Sequence, residues 1–302
     1  MSNNPNEGNG NHPEVKVATP EVKRLRASGP ILVLAVLFVV GAFLSWYFSW
    51  FGRNLSDADV TSYLADHNHP RHVQHALLQV QQRIVTRDAA ARQWYPQLQR
   101  LAGDPETEFR LTVAWVMGFD NTSEEFHRSL LQLLKDREPI VRRNAALSLV
   151  RFQDSSGRAE LKATLQPYAF VAPSAGEIES VLKEKSQVAR GTMLARIRQS
   201  GGATEEVRSP LPGSLQRIAA ASGTNVAQGE ILLTINPDEQ SVWEALRGLA
   251  LIGESEDLDA VDAYVNGQAQ GPGLTDRTKA QAALTAKAIQ GRKTESRQTI
   301  KQ

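Results

Sequence analysis

No cysteine occurs in the 302 residues, which removes disulfides, thiolate metal sites and thiol nucleophiles together. Aromatic residues make up only 6% and the formal net charge is +1, so the clustered basic face with stacking rings that nucleic acid requires is missing. Also absent are a Gly-x-Ser-x-Gly elbow, a His-Glu-x-x-His pair and a Gly-x-x-x-x-Gly-Lys phosphate loop. Glu205 and Glu206 are adjacent carboxylates, yet they border a loop, and acid–base work needs an apolar pocket to raise one pKa. The expectation is a protein that is not an enzyme, carries no cofactor and has no nucleic-acid partner.

Charge is absent from Pro30 to Phe51 as well, an apolar run long enough to cross a hydrocarbon core of about 30 Å as a helix. The run is too long for a cleaved signal, and Ser45-Trp46-Tyr47-Phe48 sets bulky rings where a peptidase needs small residues. A transmembrane signal anchor over residues 30–51 is therefore predicted. Lys16, Lys23, Arg24 and Arg26 precede the run, whereas Arg53 follows with Asp57 and Asp59 close behind. That asymmetry predicts a single-pass protein of a bacterial inner membrane, its N-terminus cytoplasmic and its C-terminal domains periplasmic. Trp46, Tyr47 and Trp50 suit the headgroup zone, and Gly41, Ser45 and Ser49 share a face against which a second membrane helix can pack. Residues 1–29 and 291–302 are polar and read as flexible tails.

What is present is repetition. Between residues 56 and 168 the apolar spacing is helical, broken at Gly103-Asp-Pro105, Asn121 to Ser123 and Asp136 to Pro139. Asp104, Phe109-Arg110, Ala114 and Met117 return 32 residues later as Asp136, Val141-Arg142, Ala146 and Leu149. This resembles HEAT-type repeats, in the short form also found in phycobilisome lyase-like proteins. The resemblance implies an α-solenoid with an extended protein-binding face, and it does not imply lyase activity. The helical pattern resumes over residues 238–290, with Gly267 to Gly273 as a loop.

Residues 169–237 hold a second duplication. Val171, Pro173, Gly176, Ile178, Val181, Val188, Gly191, Leu194 and Ile197 are answered by Val207, Pro210, Gly213, Leu215, Ile218, Val226, Gly229, Leu232 and Ile235. Each copy reads as short strands broken by a Pro-x-x-Gly turn and a later Gly turn, and the pair is expected to close into one flattened barrel. The segment resembles the biotin/lipoyl carrier fold, and more closely the barrel-sandwich hybrid of haemolysin-secretion-type membrane fusion (adaptor) proteins. In carriers a modified lysine sits on the turn joining the halves, here Ser200, Gly201, Gly202, Ala203 and Thr204, and no lysine is there. Covalent biotin or lipoate is therefore not expected. Arg198 to Glu206, spanning about 13 Å if helical, is also too short for the adaptors' helical hairpin. The turn is left as an exposed docking edge.

The expected fold is thus multi-domain α+β: a transmembrane helix, a HEAT-like solenoid and an inserted lipoyl-like barrel. The expected function is a noncatalytic, membrane-anchored periplasmic scaffold or adaptor that contacts other membrane-complex subunits, related to transport or efflux. An accessory subunit of another membrane complex, such as a respiratory one, is the second reading. The third rests on His67, His69, His72 and His75, four imidazoles within nine residues that suit zinc, copper or nickel.

Overall fold

A computed structural model describes residues 29–50 and 54–299, without side chains at 31–32, 44–50 and 293–299. The chain divides into two units, residues 1–54 and 55–302.

In the first unit, α1 (Gly29–Trp50) is a helix of 22 residues. Among the described residues, however, no helix is long and apolar enough to cross a membrane. This corrects the single-pass signal anchor, and with it the inner-membrane location, the cytoplasmic N-terminus and the periplasmic C-terminal domains. Residues 1–28 of the expected tail 1–29, Arg53 and the side chains of Ser45, Trp46, Tyr47, Ser49 and Trp50 lie outside the described residues.

The second unit begins with seven α-helices: α2 (Asp57–Leu64), α3 (Pro70–Val85), α4 (Tyr95–Leu101), α5 (Thr107–Met117), α6 (Glu124–Leu133), α7 (Pro139–Arg151) and α8 (Arg158–Thr164). Their starts follow local chemistry. Ser56 and Asp59 form a reciprocal capping box on α2, Ser123 caps α6, and Pro70 and Pro139 occupy first-turn positions where no backbone N–H is needed. Apolar residues of α2–α7, among them Leu77, Phe109, Phe126 and Leu149, bury one shared core with Trp94, which immediately precedes α4.

The 32-residue step survives as paired hydrogen bonds. Arg110 donates from Nη1 to the Asp104 and Pro105 carbonyls, at 2.9 and 3.0 Å. Its counterpart Arg142 donates to the carbonyls of Asp136 and Arg137, at 2.9 and 3.2 Å. Each guanidinium then reaches forward to a carboxylate, Arg110 to Asp136 and Arg142 to Glu160. A parallel row links Tyr95 to Asp120 and His127 to Asp154, at 2.6 and 2.5 Å. Each repeat is thereby pinned to the next by charge-assisted bonds as well as by its apolar face.

Eight strands follow: β1 (Tyr168–Val171), β2 (Gly176–Val181), β3 (Gln187–Val188), β4 (Met193–Arg198), β5 (Thr204–Arg208), β6 (Gly213–Ile218), β7 (Asn225–Val226) and β8 (Ile231–Pro237). They form two antiparallel sheets, ordered β1-β8-β6-β3 and β5-β4-β2-β7. Each sheet takes two strands from each copy, so the duplicated halves interlock. Their bonds match one for one. Gly176 faces Val226 and Gly213 faces Val188. Gly191 N donates to Ser209 O and Gly229 N to Ala172 O, both at 2.8 Å. Both sheets face one core of Ile178, Val188, Leu194 and Ile197 with their counterparts Leu215, Val226, Leu232 and Ile235.

The expected barrel does not close. β3 and β7 are two residues long, too short to carry a ladder around the corner, and no strand of one sheet pairs with a strand of the other. The product is a sandwich of two open sheets, and the fold is mixed α+β.

α9 (Glu239–Ile252), α10 (Leu258–Val265) and α11 (Asp276–Thr299) complete the unit. α11 runs on through residues whose composition reads as tail. Because β1 and β8 pair side by side, the chain leaves the sandwich close to where it entered. α9 can therefore pack on α7 and α8, and Val150, Leu161 and Leu165 share a core with Leu246, Leu249, Val261 and Tyr264. The sandwich sits in the chain between helices that pack together.

Candidate functional site

The four histidines do not converge. His67 turns away, its Nδ1 3.0 Å from the buried carboxylate of Asp104, and so heads the row continued by Arg110 and Arg142. His75 Nε2 is enclosed and has no hydrogen-bond partner. Burial, and then the neighbouring His72, pushes the His75 pKa down. His69 and His72 do meet, and what gathers them is Asp66, a residue outside the histidine pattern. Its Oδ2 lies 2.9 Å from His69 Nδ1 and 2.7 Å from His72 Nδ1. Bonds from the two imidazoles hold the Asp66 carboxyl below its ordinary pKa. His72 stacks on Tyr63 with centroids 4.2 Å apart and planes within 11°. Turn geometry sets the spacing, for His69 N donates to Asp66 O and His72 N to His69 O.

A second surface was not legible in the sequence. Trp115 and Leu251, 37% and 67% exposed, flank a groove of about 250 Å³ between α5, α7 and α9, also lined by Asn144, Leu147, Arg151, Glu244 and Arg247. The two arginines that line it each lie over an aromatic ring beside the groove. The Arg151 guanidinium lies 4.1 Å from the Phe119 centroid, and Trp115 meets Phe119 edge-on at 4.8 Å. Trp243 carries Arg247 at 4.6 Å and Arg277 at 4.0 Å. The contributing segments lie far apart in the chain, so no local pattern announces them.

The turn from Ser200 to Thr204 is exposed throughout, closed by Gln199 N to Ala203 O and Gly202 N to Gln199 O, both 2.9 Å. A Cβ added at Gly201 or Gly202 meets nothing within 4 Å. Glu205 accepts from Ser174 and Gln199 at the base of the turn, and Glu206 pairs with Arg196 and Arg208. Those carboxylates hold the sheet edge together rather than sharing a pocket. At Gly41 in α1, an added Cβ likewise meets nothing within 4 Å.

No known protein family and no curated protein matches the chain. Among solved structures, one partly similar is a single-chain, multi-domain long-chain acyl-CoA carboxylase, at 16% identity and TM-score 0.23 over 35% of this chain and 11% of that one. The chain spans about a tenth of the carboxylase's length, and nothing of that enzyme's activity follows for it.

Proposed function

We propose that the protein is a noncatalytic scaffold that holds a protein partner in the groove between α5, α7 and α9. The observation that carries this reading is that the exposed Trp115 and Leu251 line one groove with Arg151 and Arg247, each of which is held over an aromatic ring. Tryptophan and arginine dominate the energetics of protein interfaces because large rigid rings bury much area at little entropic cost. Arg151 and Arg247 border the groove and Glu244 is the one carboxylate lining it, so it suits a segment with apolar anchors and acidic flanks. The sandwich, with no lysine on its Ser200 to Thr204 turn, serves as an unmodified body within the same unit.

A photo-crosslinking residue at position 251 should capture a partner in cells of the source organism, and one at the exposed Leu284 on α11 should not. Trp115→Ala with Arg247→Glu should weaken that partner's binding by about thirtyfold, the equivalent of roughly 2 kcal/mol for one hot spot. Equal capture at both positions, or capture indifferent to the double substitution, would reject the groove as the binding surface.

A further inference from the structure

The segment leading into α3 brings together three donors of the kind that metal ions select. Asp66 Oδ2, His69 Nδ1 and His72 Nδ1 all lie within 4.8 Å of one another. A tetrahedral zinc ion with bonds of about 2.0–2.1 Å holds its ligands roughly 3.3 Å apart. The two imidazole–carboxylate distances of 2.9 and 2.7 Å are already near that separation, and about half an ångström of spreading brings those two edges to it.

The donors are also held in place. The backbone bonds from His69 to Asp66 and from His72 to His69 fix three successive positions of one turn, and Pro70 starts α3 between the two histidines. Tyr63 orients the His72 ring from behind. Side-chain exposures of 65% at His69 and 41% at His72 give an ion a path from solvent and leave a coordination position open. Two neutral imidazoles with one carboxylate form a borderline donor set, which favours zinc over calcium or magnesium.

We propose that Asp66, His69 and His72 form a surface site for one divalent zinc-class ion, bound through both Nδ1 atoms and the Asp66 carboxylate, with water in the fourth position. His67, committed to Asp104, and His75, enclosed beside Tyr63, are not ligands. Without metal, each Nδ1 faces the Asp66 carboxylate, which can only accept, and so donates a proton to it. Metal binding requires Nδ1 as a lone pair, so that proton leaves Nδ1 and the ring's remaining proton is carried on Nε2.

The test is titration of the full chain, purified without a histidine tag, with zinc chloride. Cobalt(II) absorption and nitrogen NMR of the imidazoles serve as independent readouts. One ion per chain is expected, with the His69 and His72 tautomers changing on binding. His72→Ala and Asp66→Asn should each lose at least about tenfold in affinity, as even weaker perturbations of metal sites do. His69→Ala, at a largely exposed position, should lose as much while leaving the melting temperature unchanged, which separates lost ligation from lost fold. His67→Gln and His75→Gln should bind normally. No binding by the parent protein, binding indifferent to His72→Ala and His69→Ala, or binding abolished by His67→Gln would each overturn the proposal.

Discussion

Replacing Arg110 with methionine keeps the apolar stem and deletes four hydrogen bonds in the interior. The Arg110 side chain is 7% exposed and that of Asp136 8%. Nε and Nη2 bind the two Asp136 oxygens at 2.6 and 3.0 Å, and Nη1 binds the carbonyls of Asp104 and Pro105. Without the guanidinium, Asp136 retains the bond from Glu138 N–H at 2.8 Å, and its charge stays buried beside an apolar chain. Breaking a buried pair on one side costs about 3–5 kcal/mol. Arg142→Met, at the equivalent but 25% exposed position, should cost about 1 kcal/mol, as half-exposed pairs do.

The same substitution predicts a pH signature. Burial raises the Asp136 pKa, and the bonds from Arg110 and Glu138 outweigh it and bring the carboxyl below its ordinary 3.8. A carboxylate with a depressed folded pKa contributes stability that is present above its unfolded pKa and lost as pH falls through the folded one. In Arg110→Met the guanidinium no longer offsets the effect of burial, so the folded pKa rises and acid becomes less damaging through this group. The deficit relative to the parent should therefore shrink as pH falls through the carboxylate range, down to and below 3.8. Urea unfolding followed by tryptophan fluorescence measures both quantities. A loss under about 1 kcal/mol at neutral pH, or a deficit independent of pH, would refute the reasoning that Arg110 and Asp136 form an energetically coupled pin between repeats.

Three further predictions concern the sandwich and its seam with the helices. A Cβ at Gly176 would lie 2.3 Å from Arg198 O, and one at its counterpart Gly213 2.0 Å from Asn236 O, so alanine at either should destabilise by about 3 kcal/mol or more; a clearly smaller cost at one, read by thermal melting, would break the equivalence of the halves. Lys185 holds φ +65° where its counterpart Gly223 holds +84°, and the two residues make matching bonds, Lys185 N to Leu215 O and Gly223 N to Ile178 O at 2.7 Å. Lys185→Gly should stabilise by up to about 1 kcal/mol and Gly223→Ala should destabilise by about that much, compared as shifts of the unfolding midpoint. Tyr264 donates to Leu165 O at 2.9 Å, and burial raises its pKa to about 12. An acid whose pKa rises on folding loses its stabilising contribution as pH climbs from the unfolded value, 10, through the folded one, so Tyr264→Phe should cost about 1–2 kcal/mol at neutral pH and lessen the decline in stability above pH 10.

The sequence by itself determined what depends on neighbours along the chain. The spacing of Asp104 and Asp136 with their arginines, and of Gly176 and Gly213 with their apolar partners, is written locally because each copy makes its own turn and its own bonds. The matching of Gly176 with Val226 and of Gly213 with Val188 then follows from the duplication. The breaks at Asn121 to Ser123 and at Asp136 to Pro139, which precede α6 and α7, were legible for the same reason, since turn and cap bonds involve the next few residues alone. The tertiary structure decided everything that rests on distance through space. It left the two sheets open, because strands of two residues cannot turn a corner. It split the four histidines by giving His67 to Asp104 and sealing His75, and it supplied Asp66 in their place. It assembled Trp115, Arg151, Arg247 and Leu251 into one groove from helices separated in sequence by the whole sandwich. Local bonds are encoded by spacing, whereas a site is encoded by which faces come together, and that is settled only when the cores are buried.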